Sequence, residues 1–352
     1  MARDFNIVTF HRAYNYGAVL QAYALQEFLK QRGYSAGVYD YISYGENRPR
    51  GIKARLLRFL LQFDRRSIKK KQKKYEDFVQ SRLELNLEED SLAYVSGSDQ
   101  VWNPAGTMED AYYLRFASEN AKKVSYAASM GDGTVPEERR EKWEAYIRDF
   151  DHLSVREAAC KERLAGFCDR EIAQHIDPTL LHDMHFWKKV GKRVEGVPEK
   201  YILVYLMHFP KNVNRLLKWL REKTEAKIVL VDGQGIVQGA LSNFVKHDLA
   251  LHDIGPEEFV WLFSNARGVV TSSFHGTAFS LIFHKEVYAI SSNPSSRISD
   301  ILEKCGIASV KEEDTQFLRN DSVYWDRVAE VLQAERLKSQ RYFEKIASEM
   351  KG

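Results

Sequence analysis

Short apolar runs alternate with segments of helical periodicity along most of this 352-residue chain, and the alternation limits the folds that it can adopt. The first apolar run covers residues 5–10, a helical pattern follows over 18–32, and a second apolar run covers 36–42. A strand, a helix and a strand in this order are typical of the βαβ unit, which builds parallel sheets covered by helices. The sequence therefore predicts an α/β protein.

The same rhythm restarts after Asp177, so we expect two domains, as the length also indicates at roughly 150 residues per domain. We predict an N-terminal domain over 1–183, a smaller C-terminal α/β domain over 184–322 that begins with a linker at 184–198, and a charged amphipathic helical segment over 323–352. Two α/β domains in tandem usually hold a ligand in the cleft between them, beyond the C-terminal ends of their strands. The loops that follow strands are therefore the places to search for a site.

The composition and the absence of certain motifs exclude several classes of protein. Hydrophobic residues make up 44% of the chain and charged residues 29%, a balance that excludes collagen-like and disordered chains. The first residues contain no apolar stretch long enough for a signal peptide, so none is expected, and no apolar run approaches the ~18 residues of a membrane-spanning helix. Cys160, Cys168 and Cys305 form no CxxC pair, so neither a disulfide framework nor a structural zinc site is expected. We expect a soluble, cytoplasmic protein.

Residues 50–74 carry a concentrated positive charge, with eleven Lys and Arg against the single acid Asp64 in a chain of net charge +3. A nucleic-acid surface would spread such charge over a face of the fold, so no nucleic-acid partner is expected. The apolar residues of 52–63 share one face of a helix. Two hypotheses remain open: a helix that lies on an anionic membrane, and a helix that packs on the N-terminal domain with a solvated basic tail.

The strongest candidate site is the strand-to-helix junction at 269–279. Ser272 and Ser273 are natural N-caps, and the start of a helix favours a phosphate or a carboxylate. Gly276 would let an anion approach the backbone, and His275 can exchange a proton near neutral pH. The alternative is an ordinary capped junction with a buried histidine.

A second junction, Asn15-Tyr16-Gly17, follows a strand and His11-Arg12 and precedes a helix. Its helix N-terminus could also face an anion. The alternative is simple turn chemistry, for which Asn and Gly are common.

The loop 97–102 follows another short apolar run and contains Asp99, Gln100 and Trp102. Carboxylates, amides and flat rings of these types recognise sugars by hydrogen bonding and stacking. The alternative is a surface turn with Trp102 packed into the edge of the domain.

Two arginines in similar positions could hold a phosphate or a carboxylate through the bidentate guanidinium. Arg156 ends an apolar strand, and Arg297 opens a helix. For Arg156 the alternative is a surface ion pair with Glu157 or Glu162.

Taken together, these loops resemble the polysaccharide pyruvyl transferase family. The resemblance rests on six blocks in family order, and six ordered blocks are more specific than any single motif. The blocks are residues 9–11 with 15–23, 97–104, 125–129, 154–157, 177–179 and 271–277. In one departure, this chain has Ser273 where many members of the family have an arginine, two positions before His275.

The resemblance implies a fold similar to GT-B glycosyltransferases, in which two Rossmann-like domains face a cleft and the final helix, here 323–350, returns to the first domain. The implied reaction moves a carboxyvinyl group from phosphoenolpyruvate to a hexose and closes a cyclic pyruvate ketal. It needs no metal or other cofactor. The implied acceptor is a lipid-linked or polymeric cell-surface or capsular glycan, which would place the protein on the inner face of the plasma membrane, with 50–74 as its contact.

The resemblance also distributes roles among the candidate residues. It implies His275 as the general acid/base and Arg156 as a second catalytic residue. The expected phosphoenolpyruvate-binding residues are Ser272, Ser273, Gly276, Thr277, Arg297, Asn15, Tyr16 and Gly17, and the expected acceptor-binding residues are His11, Asp99, Gln100 and Trp102. We hypothesise that Arg297 compensates for Ser273. Two alternatives remain: a GT-B glycosyltransferase that uses a nucleotide-sugar, and a non-catalytic glycan-binding protein.

Overall fold

Two parallel β-sheets organise the computed structural model of this chain. The structure describes residues 2–43, 65–87, 90–104, 106, 108–131, 134–208, 210, 212–232, 244–291, 297–307, 310–311 and 322–350. The α/β architecture that the alternation of apolar runs and helical patterns predicts is confirmed.

The first sheet has the strand order β3-β2-β1-β4-β5, and all its pairs are parallel. Its strands are β1 (Arg3–Val8), β2 (Ala36–Tyr39), β3 (Leu85–Asn86), β4 (Ser91–Gly97) and β5 (Lys122–Tyr126). Two further parallel strands, β6 (Leu153–Val155) and β7 (Ile172–Gln174), continue it through isolated bridges beside β5. Most of these strands are buried on both faces, as is usual for parallel sheets covered by helices.

The second sheet repeats this order as β10-β9-β8-β11-β12-β13, again with parallel pairs. Its strands are β8 (Tyr201–Tyr205), β9 (Lys227–Val231), β10 (Leu249–Leu251), β11 (Gly268–Thr271), β12 (Glu286–Ser291) and β13 (Val310–Lys311). In each sheet the chain reverses its direction of growth between two central strands, β1 and β4 in the first and β8 and β11 in the second. Ligands of doubly wound sheets bind beyond the strand ends at these switch points.

Helices flank both sheets. Those of the first half are α1 (Tyr16–Lys30), α2 (Arg65–Arg82), α3 (Glu137–Arg148) and α4 (Ala158–Ala165). The later helices are α5 (Met184–Val190), α6 (Val213–Thr224), α7 (Pro256–Asn265), α8 (Phe274–Ile282), α9 (Arg297–Lys304) and α10 (Ser322–Met350).

Helix α1 is buried on nearly all sides because its sequence is apolar around most of its circumference. It begins where the Asn15 carbonyl oxygen Oδ1 accepts the Ala18 N–H (3.3 Å), and the chain leaves it through Gly33 at φ +84°. At its start the Tyr16 ring stacks on Phe259 of α7, with 4.3 Å between the ring centroids. The buried apolar cluster around α1 therefore joins the two halves of the chain.

The range 184–198, expected as a linker, begins instead with helix α5. Trp187 of this helix is completely buried, and its indole N–H donates to the Thr179 carbonyl oxygen (2.9 Å). The sequence pattern did not predict this helix because its buried face consists of little more than Trp187 and Val190, too few residues to give a helical period. The domain boundary after residue 183 stays a prediction.

The C-terminal segment forms one long helix, α10, which contacts strands of the first sheet. Phe343 packs edge-on against Phe5 of β1, with 5.5 Å between the ring centroids. The Tyr126 hydroxyl of β5 donates to Ser339 Oγ of α10 (2.9 Å). The aromatic residues of α10 thus cover one face of this sheet.

Of the basic segment 50–74, residues 50–64 lie outside the described residues, and the remainder belongs to α2. There Lys74 pairs with Glu258 of α7 (2.9 Å), and Lys70 lies 3.8 Å from Asp253. The two hypotheses concern a helix over 52–63, which lies outside the described residues, so both stay predictions. The expected solvated basic tail is instead part of α2 in 65–74, where Lys70 and Lys74 contact acidic residues of the second half. Within the described ranges no helix combines the length and the apolar character that crossing a membrane requires.

Candidate active site

The switch points of the two sheets face one another, and the loops that follow their strands meet there. On the first sheet, the Thr9 hydroxyl after β1 donates to the Ser98 carbonyl oxygen after β4 (3.0 Å). On the second sheet, Ser272 Oγ after β11 accepts the Met207 N–H after β8 (2.8 Å). Arg156, at the end of β6, and Asp177, after β7, complete the first side of the site.

Asp177 is the centre of the site, although the sequence did not single it out as a functional residue. Its carboxylate is completely buried and accepts four hydrogen bonds: from the Thr179 N–H (3.0 Å) and hydroxyl (2.7 Å), from Ser98 Oγ (2.9 Å) and from Arg156 Nη1 (2.7 Å). Burial opposes ionisation, but His275, Arg156 and the Thr179 N–H outweigh it and hold the pKa of Asp177 well below its ordinary value. Asp177 is therefore a fixed negative charge at neutral pH.

Arg156 binds two buried carboxylates with one guanidinium. Its Nε donates to Glu157 Oε1 (2.9 Å) and its Nη1 to Asp177, while its guanidinium carbon lies 4.3 Å from the centre of the Phe274 ring. Burial opposes the charge on Arg156, but Glu157 and Asp177 outweigh that effect and raise its pKa. Among the described residues, Nη2 of this buried side chain has no hydrogen-bond partner. The expected surface pair with Glu157 is thus real but buried.

His275 belongs to the second half of the chain and lies against the first. A Cβ atom at Gly17 would overlap with His275 Nδ1, so only glycine at the start of α1 leaves room for this ring. On its other side, His275 Nε2 lies 3.6 Å from Asp177 Oδ2. That separation is too long for a hydrogen bond, and within the described part of the chain Nε2 has no other partner.

A small cavity lies beside Arg156 and Asp177. Its charged lining consists of Arg156, Glu157, Asp177, Arg297, Asp300 and Lys304. The last three belong to α9, and Asp300 Oδ2 accepts the Ala158 N–H at the start of α4 (2.9 Å). This bond holds α9 beside α4, and so places Arg297 on the same cavity as Arg156.

The four expected donor-binding residues around His275 mainly stabilise the β11–α8 junction. Ser273 Oγ accepts the Gly276 N–H (3.4 Å), and the Thr277 hydroxyl donates to the Ser273 carbonyl oxygen (3.1 Å). The expectation for Gly276 needs correction: a Cβ there would overlap with Thr271 Oγ1, so the glycine lets the helix approach the strand rather than an anion approach the backbone. Ser272 Oγ is already bonded by backbone groups after β8.

The second expected donor loop, Asn15-Tyr16-Gly17, holds the two halves together. Asn15 caps α1, Tyr16 is buried and donates its hydroxyl proton to the Ile254 carbonyl oxygen (3.1 Å), and Gly17 accommodates His275. Direct binding of phosphoenolpyruvate by the Tyr16 side chain is therefore inconsistent with its position. The sequence located this loop correctly but not its contacts.

The expected acceptor residues face inward in most cases. His11 is completely buried between the Thr9 carbonyl oxygen (3.0 Å) and Asp40 (2.9 Å). Trp102 is also completely buried and stacks on Tyr113, so its ring is not available to a sugar. These two expectations are corrected because both side chains form part of the interior of the first half.

Asp99 and Gln100 are bonded locally. Asp99 is buried, accepts the Gln100 N–H (2.9 Å) and adopts φ +65°, which is unfavourable for a residue with a side chain. Gln100 Oε1 accepts from Asn103 (3.1 Å). In the described part of the chain, no three His, Cys, Asp or Glu side chains are grouped so that they could hold a metal ion.

Two parallel sheets of identical strand order, with a site between their switch points, define the chain as a GT-B-like α/β protein. Solved structures agree: a UDP-N-acetylglucosamine 2-epimerase from Listeria monocytogenes is similar at 11% identity and a TM-score of 0.55 over 98% of both chains. A second UDP-N-acetylglucosamine 2-epimerase is similar at 12% identity and a TM-score of 0.51, over 95% of this chain and 93% of the other. At such identities the likeness shows the fold alone.

The family model for polysaccharide pyruvyl transferase matches residues 15–294. The chain therefore belongs to the polysaccharide pyruvyl transferase family, and it is an enzyme of this kind. A search of curated protein sequences finds no significant match to the chain.

Proposed function

We propose that this enzyme transfers a carboxyvinyl group from phosphoenolpyruvate to a hexose of a cell-surface or capsular polysaccharide precursor and closes it as a cyclic pyruvate ketal. The observation that carries the proposal is a pair of buried nitrogens, Arg156 Nη2 and His275 Nε2, which lack partners among the described residues on either side of Asp177. A buried polar group without a partner costs about 1–3 kcal/mol. An anionic ligand that accepts hydrogen bonds from both nitrogens removes that cost.

Phosphoenolpyruvate fits the charges of the cavity because it carries both a phosphate and a carboxylate. Arg156 and Arg297 line the same cavity from opposite halves of the chain, and Lys304 adds a third positive group. Charge-assisted hydrogen bonds from two arginines are well suited to two anionic groups. This placement supports the hypothesis that Arg297 takes over from the arginine that the family resemblance leads one to expect at Ser273.

In the proposed reaction, His275 donates a proton to the methylene carbon of phosphoenolpyruvate, and positive charge develops at C2. Asp177, ionised and 3.6 Å from His275, stabilises the protonated imidazole through its negative charge. A sugar hydroxyl attacks C2, phosphate leaves, and a second hydroxyl closes the ketal. The acceptor is a lipid-linked or polymeric glycan, and contact of the basic segment 50–74 with an anionic membrane would bring the enzyme to it.

A binding titration separates this proposal from a nucleotide-sugar glycosyltransferase. The melting temperature of the purified enzyme is followed against phosphoenolpyruvate and, in parallel, against UDP-, GDP- and CDP-sugars. A ligand at ~100 times its dissociation constant adds about 2.7 kcal/mol of stability, which is readily detected. Stabilisation by phosphoenolpyruvate alone is the expected result, and stabilisation by a nucleotide-sugar alone would assign a different donor.

A further inference from the structure

Glu157 presents a buried carboxylate oxygen that the steps described so far leave unused. Its side chain is 6% exposed, and its Oε1 accepts from Ser129 Oγ (2.6 Å) and from Arg156 Nε (2.9 Å). Its other oxygen, Oε2, is buried and has no hydrogen-bond partner in the part of the chain that the structure describes. Glu157 lines the cavity, so a ligand bound there could donate a hydrogen bond from an O–H or N–H group to Oε2.

The neighbouring carboxylate cannot take this role. Both oxygens of Asp177 are occupied, Oδ1 by Thr179 and Oδ2 by Ser98 and Arg156. Phosphoenolpyruvate has no hydroxyl group on its carbon skeleton, whereas every hexose acceptor carries several. The ligand group that fits Glu157 Oε2 is therefore the hydroxyl of the acceptor.

We propose that Glu157 is the general base that receives the proton of the attacking sugar hydroxyl, an inference that rests on the proposed function. Glu157, Arg156, Asp177 and His275 form a chain of successive contacts of 2.9, 2.7 and 3.6 Å. The proton donor and the proton acceptor thus stand at opposite ends of this chain. Such separation allows one group to act as acid while the other acts as base.

The proton balance follows from this arrangement. The π electrons of phosphoenolpyruvate form the new C–H bond with the proton of His275, and a lone pair of the hydroxyl oxygen forms the C–O bond at C2 while Glu157 Oε2 takes the hydroxyl proton. The bond between C2 and the bridging oxygen of the phosphate group then breaks, and its electron pair leaves with phosphate. The second hydroxyl attacks C2, closes the ring and loses its proton. Of the two hydroxyl protons released, one replaces that given by His275 and the other leaves with phosphate.

The test compares Glu157→Gln with the wild-type enzyme and with Glu162→Gln, which makes the same chemical change on the exposed surface of α4. Phosphate release from phosphoenolpyruvate is measured with a panel of methyl hexopyranosides as acceptors, across pH. Phosphoenolpyruvate affinity is measured separately by calorimetry. For Glu157→Gln we expect turnover to fall about a hundredfold or more, affinity to stay within about threefold, and the acidic limb of the pH profile to disappear.

The outcomes separate failure of the role assigned to Glu157 from failure of the proposed function. If the wild-type enzyme releases phosphate and Glu157→Gln releases it at a similar rate, Glu157 is not the base, and the proposed function stands. A variant that loses affinity and turnover together but keeps the acidic limb would assign Glu157 a structural role and overturn the inference. If the wild-type enzyme releases no phosphate with any of these acceptors, the proposed function is wrong, and this inference falls with it.

Discussion

The imidazole ring of His275 lies directly against the backbone of Gly17, so the first helix of one half of the molecule positions the candidate acid contributed by the other half. This contact, with Asp177 on the opposite side of the ring, fixes His275 at the meeting point of the two sheets. In the proposed mechanism, activity therefore depends on the interface between the two halves.

Gly17→Ala is therefore expected to impair catalysis without removing any catalytic group. The added methyl group must displace His275, and overpacking of this kind costs about 1–3 kcal/mol of stability. We expect turnover to fall at least about tenfold. Gly166→Ala is the matched control, because its added Cβ meets only the Arg163 carbonyl oxygen at 3.3 Å, far from the site. Wild-type turnover in Gly17→Ala would show that the position of His275 does not matter.

Removal of the imidazole tests the acid directly. For His275→Ala we expect turnover to fall by about a hundredfold or more, while phosphoenolpyruvate still binds through Arg156 and Arg297. Steady-state phosphate release and calorimetry separate the two effects. Near-normal turnover in this variant would reject His275 as the general acid.

Arg297 is expected to act mainly on affinity. Its loss removes charge-assisted hydrogen bonds, worth about 1.5–3 kcal/mol, so Arg297→Ala should weaken phosphoenolpyruvate binding by about tenfold or more. Arg297→Lys keeps the charge but not the planar guanidinium, so its affinity for phosphoenolpyruvate should lie between those of the wild-type enzyme and Arg297→Ala. Unchanged affinity in Arg297→Ala would remove the idea that this residue compensates for Ser273.

Asp177 should make stability depend on pH. Its depressed pKa means that the folded state resists protonation more than the unfolded state does, so its contribution is complete above the ordinary carboxyl pKa and is lost as pH falls below it. Asp177→Asn should cost about 3 kcal/mol near neutral pH, because Arg156 loses one of its two buried partners. In urea unfolding, the difference in free energy of unfolding between the two proteins should be constant above about pH 5 and should narrow progressively as pH falls below it. A difference independent of pH would contradict this explanation.

The fold followed from local sequence patterns, whereas the site depended on contacts between distant segments. The unit of strand 5–10, helix 18–32 and strand 36–42 is confirmed as β1, α1 and β2 with small shifts in its bounds. The sequence did not predict Asp177 as a functional residue because its role depends on contacts with Ser98, Arg156 and His275, none of which is near it in sequence.

The predictions that the structure corrects also failed for physical reasons. A loop residue carries no periodicity, so the sequence left open whether Trp102 faces a sugar or packs into the edge of the domain, and the structure shows that it is buried. Gly276 offered a close approach to the backbone, but the atom that uses it is Thr271 Oγ1 rather than a ligand atom. The sequence predicted a membrane contact or a solvated tail for the basic segment, and only the fold shows that Lys74 pairs with Glu258.

The most direct measurement is the reaction itself. The enzyme is mixed with phosphoenolpyruvate and each methyl hexopyranoside, and phosphate is quantified beside the methyl resonance of a pyruvate ketal. We expect phosphate and ketal to form in equal amounts, and both to form about a hundredfold or more slowly with His275→Ala. If no phosphate appears while a UDP-, GDP- or CDP-sugar transfers its sugar to the same acceptors and releases the nucleotide, the site does not transfer a carboxyvinyl group.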